Sequence, residues 1–393
     1  MLSEEDARAK ILERVQLLPT RKIPVERARG CFAAGDVFSG LPLPLFDNSA
    51  MDGYAVIANG CTRDARLRVV GEQPAGVDRK LYVRSGEAVR IFTGGPIPSN
   101  ADAVIMQEDV TLDSGCIVIN AKVETGEFVR RRGCDLSEGQ KILSAGERLR
   151  PENLALLAAQ GISEIEVGGQ VRATIVSTGD ELVAPGEAIR SGELYESNSV
   201  LLRALVEENG ASAEFVQRVP DNLDDLKAAL LDGLKREVLI ISGGVSVGDR
   251  DLVRPVLQEI GAEIDLWRVA IKPGKPFLFG QCGACAIFAL PGNPVSAFVT
   301  FLVFVRPAIL KMMGANDEAL SLCKTAARLA TDLSNDGERV HYVRGMLRDG
   351  EFKPIGRQES HALYGLSRSN ALLRMLAGEK KSAGTTISVY LRN

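Results

Sequence analysis

The sequence predicts a multidomain α/β plus β protein. A doubly wound α/β domain is accompanied by a helical linker region, an inserted β domain and a small C-terminal β-barrel or sandwich. Three observations carry this reading. From 171 to 315, strand-like and helix-like runs alternate, as parallel strands with crossover helices require. From 47 to 139, short alternating runs are separated by Gly, Pro, Asn and Asp, the texture of a β domain. From 316 to 393, short strands and turns return.

Residues 3 to 18 read as an amphipathic helix with Ile11, Leu12, Val15 and Leu18 on one side and Ser3 as N-cap. Pro42, Pro44 and Phe46 then interrupt regular structure. Runs such as RLRVVG, AVRIFTG, ADAVIMQED and GCIVINAKV follow as strands of the insert. Helical patterning resumes at 151 to 161, with Pro151 at the helix start. Segments 1–46 and 140–170 therefore read as two pieces of one helical linker region around the insert.

In the α/β region, VRATIVS leads to helix SVLLRALVEENG, AEFVQRV to NLDDLKAALLDGLK, and EVLIIS to DLVRPVLQEIG. Two apolar strands, FLFG and CAIFAL, and a helix over 294–313 complete it. Strands of the VLII type are apolar on both faces, as a sheet covered by helices requires. The most apolar stretch, Val295 to Val305, is about half the length that spans a bilayer and reads as a buried helix. HYVRGMLRDGEFKPIG and TTISVYLR supply strands of the last domain.

Composition narrows the function. The chain has 393 residues, 45% hydrophobic and 25% charged, enough for real cores. Lys plus Arg total 47 against 51 Asp plus Glu, a net charge of −4, which argues against a nucleic-acid partner. Two histidines, His341 and His361, leave little room for His-rich zinc chemistry. Seven scattered cysteines form no disulfide scaffold and suit a reducing cytoplasm, and Cys282 to Cys285 reads as a hairpin turn. The N-terminus, MLSEEDARAK, has neither signal nor transit character, and no membrane association is expected.

The chemistry gathers after the strands. Thr178-Gly179-Asp180-Glu181 follows one, Pro220-Asp221 another, and Gly243-Gly244-Val245-Ser246-Val247-Gly248-Asp249-Arg250-Asp251 a third. Lys272-Pro273-Gly274-Lys275-Pro276 and Pro291-Gly292-Asn293-Pro294-Val295-Ser296 follow two more. Parallel strands would crowd these segments onto one sheet edge, where α/β ligands bind. The carboxylates are hard oxygen ligands for Mg²⁺. The glycine turns and helix starts offer N–H groups to anions, and the lysines meet an oxyanion or phosphate. Each piece alone also reads structurally, Asp180 and Asp249 as N-caps and KPGKP as a surface turn. Repetition at successive strand ends favours a site for a phosphorylated ligand, a divalent metal and an oxyanion.

Two other classes compete. Gly244 to Gly248 matches G-x-S-x-G, so an α/β serine hydrolase using Ser246 is one alternative. It needs a histidine, and both lie in the C-terminal β region, outside the α/β unit. A non-catalytic scaffold is the other, and it has no need of so many strand-end carboxylates. A second polar cluster lies in the insert: Asp47 to Val56, Thr93-Gly94-Gly95-Pro96, and Arg130-Arg131-Arg132-Gly133-Cys134-Asp135.

Together DNSAMDGYAV, IFTGGPIP, RRRGCD, STGDEL, SGGVSVGDRD, IKPGKP and LPGNPVS resemble the motifs of the molybdopterin molybdenumtransferase (MoeA) family, to which the gephyrin E domain is related. The resemblance implies a transferase of molybdenum cofactor biosynthesis. It would insert molybdenum from molybdate into adenylylated molybdopterin, with Mg²⁺-dependent release of AMP. It also implies a molybdopterin-binding α/β domain, a C-terminal β-barrel and a cytoplasmic homodimer. Each active site would lie between the α/β domain of one subunit and the β domain of the other, with transient contact to other proteins of the pathway.

Carried over by motif, Glu181, Asp221 and Asp251 would be catalytic and metal-binding carboxylates, and Ser246 a hydroxyl ligand. Lys272 and Lys275 would meet phosphate and molybdate. Pro291, Pro294 and Ser296 would shape the oxyanion pocket, with Arg344 and Ser360 reaching in from the barrel. Asp52, Thr93, Arg130 and Asp135 would come from the β domain. Arg268, where some relatives carry lysine, and Cys134, where an acidic residue is common, depart from the pattern.

Overall fold

The computed structural model describes residues 1–245 and 252–392. The chain forms two compact units, Asp36–Leu143 and the remainder, Met1–Gly35 with Ser144–Asn393.

The smaller unit is built on a six-stranded sheet. Its order is Ala103–Met106, Gly53–Val56, Glu87–Ile91, Arg66–Gln73, Cys116–Ile119 and Val110–Asp113. Tyr54, Val56, Leu67, Ile105, Ile117 and Ile119 form its core. Gly53 is required where the strands come closest, because a Cβ there would sit 1.9 Å from the Ile105 carbonyl oxygen. Strand Val37–Phe38 pairs with Lys141–Leu143, so this unit begins before residue 47 and ends after 139. The extra residues are pairing partners at its two chain crossings.

In the larger unit, the first helix runs over Glu4–Arg14 rather than to residue 18, and Ser3 Oγ accepts the Asp6 N–H at 3.0 Å. Ala7, Ile11 and Val15 enter the main core. The linker region is not wholly helical. Arg21–Pro24 pairs antiparallel with Glu164–Val167, and both show alternate burial. Helix Pro151–Ala159 lies where the pattern places one.

The central sheet has the order Ser212–Val219, Arg172–Thr178, Val238–Ser242, Cys285–Leu290, Leu278–Cys282, Glu263–Trp267. The first four strands run parallel, Leu278–Cys282 runs against them, and Glu263–Trp267, antiparallel to that strand, runs with them, so the sheet is mixed. The reason is the turn at Gly283, φ +58°, between the paired Cys282 and Cys285: a two-residue hairpin joins only antiparallel strands. Side chains alternate across the sheet. Ile175, Ile240 and Phe288 face a core with Leu202, Leu205 and Phe298. Val176, Leu239, Ile241 and Ile287 face Leu226, Leu230 and Val256. Each such buried side chain contributes about 1.5–3 kcal/mol.

The helix from Pro294 to Met312 spans 19 residues, is long and apolar enough to cross a membrane by length and composition, and is mostly buried in the protein. It passes through a π-helical segment, Phe301–Val305, where the Arg306 N–H bonds the Phe301 carbonyl. Pro307 follows and has no N–H to continue an ordinary ladder, so the register shifts just before it.

The C-terminal strands Lys324–Leu329, Val340–Arg348, Glu351–Pro354, Ala371–Met375 and Thr386–Leu391 close into a five-stranded barrel. Leu329, Val343, Phe352, Leu373 and Val389 fill it. A short strand, Ile271–Lys272, leaves the central sheet and pairs with Val340–His341 of this barrel.

Candidate active site

A cavity of about 730 Å³ opens at the carboxyl edge of the parallel strands. Thr178 ends one strand there, and its hydroxyl donates to Asp221 Oδ1 at 2.6 Å. The Asp221 N–H in turn donates to Asp180 Oδ1 at 2.9 Å. These bonds tie two adjacent strand ends and hold Asp221 on the cavity wall. Glu181 is exposed on the same wall, folded over Gly179, where an added Cβ would lie 2.7 Å from its Oε2.

Gly243 and Gly244 line the cavity with φ values of +95° and +63°. A Cβ at Gly243 would lie 2.5 Å from the Thr178 carbonyl oxygen, so only glycine lets these two strand ends approach. Ser246 and Asp251, further along the loop, lie outside the described residues.

Pro291 and Pro294 complete a wall at the start of the long helix, with Ser296 buried behind them. Asn293 Nδ2 donates to Ser360 Oγ at 3.0 Å, and the Ser360 carbonyl accepts the Val295 N–H at 3.1 Å. Ser360 is thus held against the helix start, and its neighbour His361 lines the cavity. His361 belongs to the C-terminal region, as its sequence position has it, yet it reaches the cavity of the α/β unit through the Ser360 contacts.

Three cations sit elsewhere than on this wall. Lys272 and Lys275 line a separate cavity of about 290 Å³ with Ala270, Glu338 and Arg339, while Pro276 lines the main one. The cause is the pairing of Ile271–Lys272 with the barrel. Arg344 is 1% exposed. Its guanidinium donates to the carbonyls of Ala362 at 3.2 Å, Arg357 at 2.6 Å and Glu359 at 3.1 Å. It does not reach into the cavity as the sequence reading expects; it holds the loop that carries Ser360 and His361.

Sequence reasoning missed two residues of the wall. Glu196 is 6% exposed; its Oε1 accepts Ser177 Oγ at 3.0 Å and the Ser199 N–H at 2.8 Å, and its Oε2 accepts the Ser199 hydroxyl. Asn198 Nδ2 donates to Ser242 Oγ at 2.8 Å and the Gly292 carbonyl at 2.6 Å. Its Oδ1 is buried without a partner, an acceptor available to a ligand donor at the cavity. The signal was the run Glu-Ser-Asn-Ser ahead of a helix, but it stands well beyond the strand end that drew attention.

In the smaller unit, Asp52 accepts the Thr93 N–H at 2.7 Å and the Thr93 hydroxyl at 2.8 Å. The Thr93 N–H first, then its hydroxyl, hold the Asp52 carboxyl below its ordinary range. Arg130 pairs through its backbone with Asn48 and is exposed, as is Asp135. Asp47 accepts from the Arg132 N–H and the Arg131 guanidinium, both at 2.7 Å. Burial pushes the Asp47 carboxyl up, but these two donors outweigh it and the net direction is down.

Among the described residues, no group of three or more His, Cys, Asp or Glu is arranged to hold a metal ion. Glu181 and Asp221 are nonetheless hard oxygen donors on one wall of one cavity, a set that fits Mg²⁺ with further ligands from elsewhere.

A roomy cavity at the carboxyl edge of parallel strands, floored by positive-φ glycines and rimmed by carboxylates, defines an α/β domain with a ligand-sized site at its strand ends. Comparison with known proteins gives the family. The MoeA N-terminal region (domains I and II) matches residues 2–161, a probable molybdopterin binding domain matches 174–311, and the MoeA C-terminal region (domain IV) matches 326–391. The chain is 36% identical to a molybdopterin molybdenumtransferase of Haemophilus influenzae, covering 99% of this chain and 98% of the relative. It is 37% identical to one of a Nostoc species, over 92% and 86% of the two chains. A crystal structure of a molybdopterin biosynthesis moeA protein from Pyrococcus horikoshii superposes over 100% of both chains with TM-score 0.85 at 29% identity. The chain belongs to the MoeA family of molybdopterin molybdenumtransferases.

Proposed function

We propose that this protein inserts molybdenum from molybdate into adenylylated molybdopterin and releases AMP, with the reaction at the carboxyl-edge cavity. The observation that carries the reading is that Glu181 and Asp221 stand on the wall of a cavity floored by Gly243 and Gly244, in a chain whose relatives are molybdopterin molybdenumtransferases. The cavity is large enough for a nucleotide-sized ligand. Backbone N–H groups of the glycine turn suit its phosphates.

Glu181 and Asp221, with Asp251 from outside the described residues, would hold Mg²⁺. When bound, that ion offsets the charge of a pyrophosphate and polarises its scissile bond. Asn198 Oδ1 accepts from the pterin or base, and Pro291, Pro294, Ser296 and Ser360 shape the neighbouring wall. Lys272 and Lys275 draw molybdate in through the adjoining cavity, because a dianion needs local cations in a net-acidic protein. Arg344 is a positioning residue for the 357–362 loop.

The same reading makes the protein a homodimer in which Asp52, Thr93, Arg130 and Asp135 of one subunit complete the site of the other; the family resemblance supports it. The seven cysteines are all free, which suits the cytoplasm.

The test is to incubate the protein with molybdopterin adenylate, Mg²⁺ and molybdate and to follow AMP. Release that depends on both Mg²⁺ and molybdate is expected. Release without molybdate incorporation would reduce the activity to hydrolysis and overturn the reading.

A further inference from the structure

A second cavity, about 200 Å³, lies at the C-terminal end of helix Asn198–Glu208. The start of that helix lines the main cavity, so roughly 16 Å of helix separates the two. Three arginines line it, Arg148, Arg306 and Arg392, against one carboxylate, Glu208. Phe298 and Leu302 of the long helix give it an apolar side.

The arginines are held in place by neutral acceptors. Arg306 donates to the carbonyls of Leu320 at 3.1 Å and Ala319 at 3.3 Å. Arg392 donates to the carbonyls of Leu366 and Ser369, both at 2.9 Å, and to Ser369 Oγ at 3.0 Å, with its guanidinium 4.4 Å over the Phe298 ring. Arg148 donates to the Glu208 carbonyl at 3.3 Å. Such bonds orient guanidinium groups without neutralising them. Burial disfavours the charges of Arg306 and Arg392, and Arg148 adds repulsion on Arg306. Among the described residues, three guanidinium charges against one side-chain carboxylate favour a dianion, and planar N–H forks match its tetrahedral oxygens.

We propose that this cavity binds a phosphate group, either free or carried by a small phosphomonoester whose body rests on Phe298. The site is separate from the proposed reaction centre and does not depend on it.

Isothermal titration of the full-length protein with inorganic phosphate and with phenyl phosphate tests this. Saturable binding is expected, weakened on the order of tenfold or more by Arg148→Gln. Glu208→Gln removes the opposing charge and is expected to tighten binding. The component of binding that Arg148→Gln weakens is expected to persist in Lys275→Ala, which removes a cation of the other cavity. Tighter binding of phenyl phosphate assigns a phosphomonoester, and tighter binding of inorganic phosphate assigns the free ion. Arg148 is half-buried and Glu208 exposed, so both variants keep the fold. No binding of either probe up to about 10 mM, or binding equally strong in Arg148→Gln, would overturn the proposal.

Discussion

Asp52 and Thr93, 41 residues apart in sequence, meet through two hydrogen bonds from one residue, the Thr93 N–H and hydroxyl converging on Asp52 Oδ1. This joins two of the insert's motifs, DNSAMDGYAV and IFTGGPIP, into a single carboxylate site.

Thr93→Val removes the hydroxyl donor and keeps the N–H. The Asp52 carboxyl is therefore expected to titrate higher than in the parent, yet still below its ordinary range. Carbon-detected NMR titration of the Asp52 carboxyl reads this directly. The depressed value stabilises the unit at neutral pH, and that contribution is lost as pH falls through the folded-state value. An Asp52 titration unmoved by Thr93→Val would mean that the backbone N–H acts alone.

Arg344→Lys keeps a positive charge but cannot span the carbonyls of Arg357, Glu359 and Ala362. A loss of about 2–4 kcal/mol in stability is expected, with faster amide exchange across residues 357–362. Unchanged exchange there, alongside a raised molybdate requirement, would restore a direct ligand role.

The positions of these residues show how far a sequence carries. The alternating strands and helices were legible because a core on both faces of a sheet leaves a repeating apolar pattern, as in VLIIS at Val238–Ser242. So were Glu181, Asp221 and the glycine turn, since strand ends of a parallel sheet share an edge. Lys272 and Lys275 were misplaced because a two-residue strand, Ile271–Lys272, pairs with the distant barrel strand at Val340 and His341, and local pattern holds no trace of it. Arg344 was placed at the oxyanion pocket by the family resemblance alone; its carbonyl partners carry no charge, so no local pattern marks the loop it holds. The linker strands Arg21–Pro24 and Glu164–Val167 were too short for their alternation to stand out beside helices.

His341 is buried, with Nε2 unpartnered, and its pKa is lowered to about 4 by burial first, then by Lys272, Arg344 and Arg339. The sign follows from this depression. The unfolded chain takes up the proton near 6.5 and the folded chain only near 4, so stability is full above about 6.5 and falls between these values. Urea unfolding across that range is expected to show a loss on the order of 2–3 kcal/mol. His341→Gln, which does not titrate, is expected to flatten that part of the curve. An equal slope in both proteins would contradict the assignment.

Gly243→Ala places a Cβ 2.5 Å from the Thr178 carbonyl oxygen at φ +95°. Backbone atoms cannot move aside cheaply, so a loss of about 1–3 kcal/mol is expected. Because Thr178 holds Asp221, weaker ligand binding should accompany the fall in melting temperature. A variant of parental stability would show that the strand ends approach less closely than described.

The proposed function requires that Glu181 and Asp221 hold Mg²⁺ in the carboxyl-edge cavity. Its most direct test is a Mg²⁺ titration of AMP release and molybdenum incorporation in the parent, Glu181→Gln and Asp221→Asn. Each substitution removes one charge at nearly constant size on an exposed side chain, so folding should be retained. The expected result is that both variants need at least about tenfold more Mg²⁺ or lose both products together. Parental Mg²⁺ dependence in both variants, with full molybdenum incorporation, would contradict it.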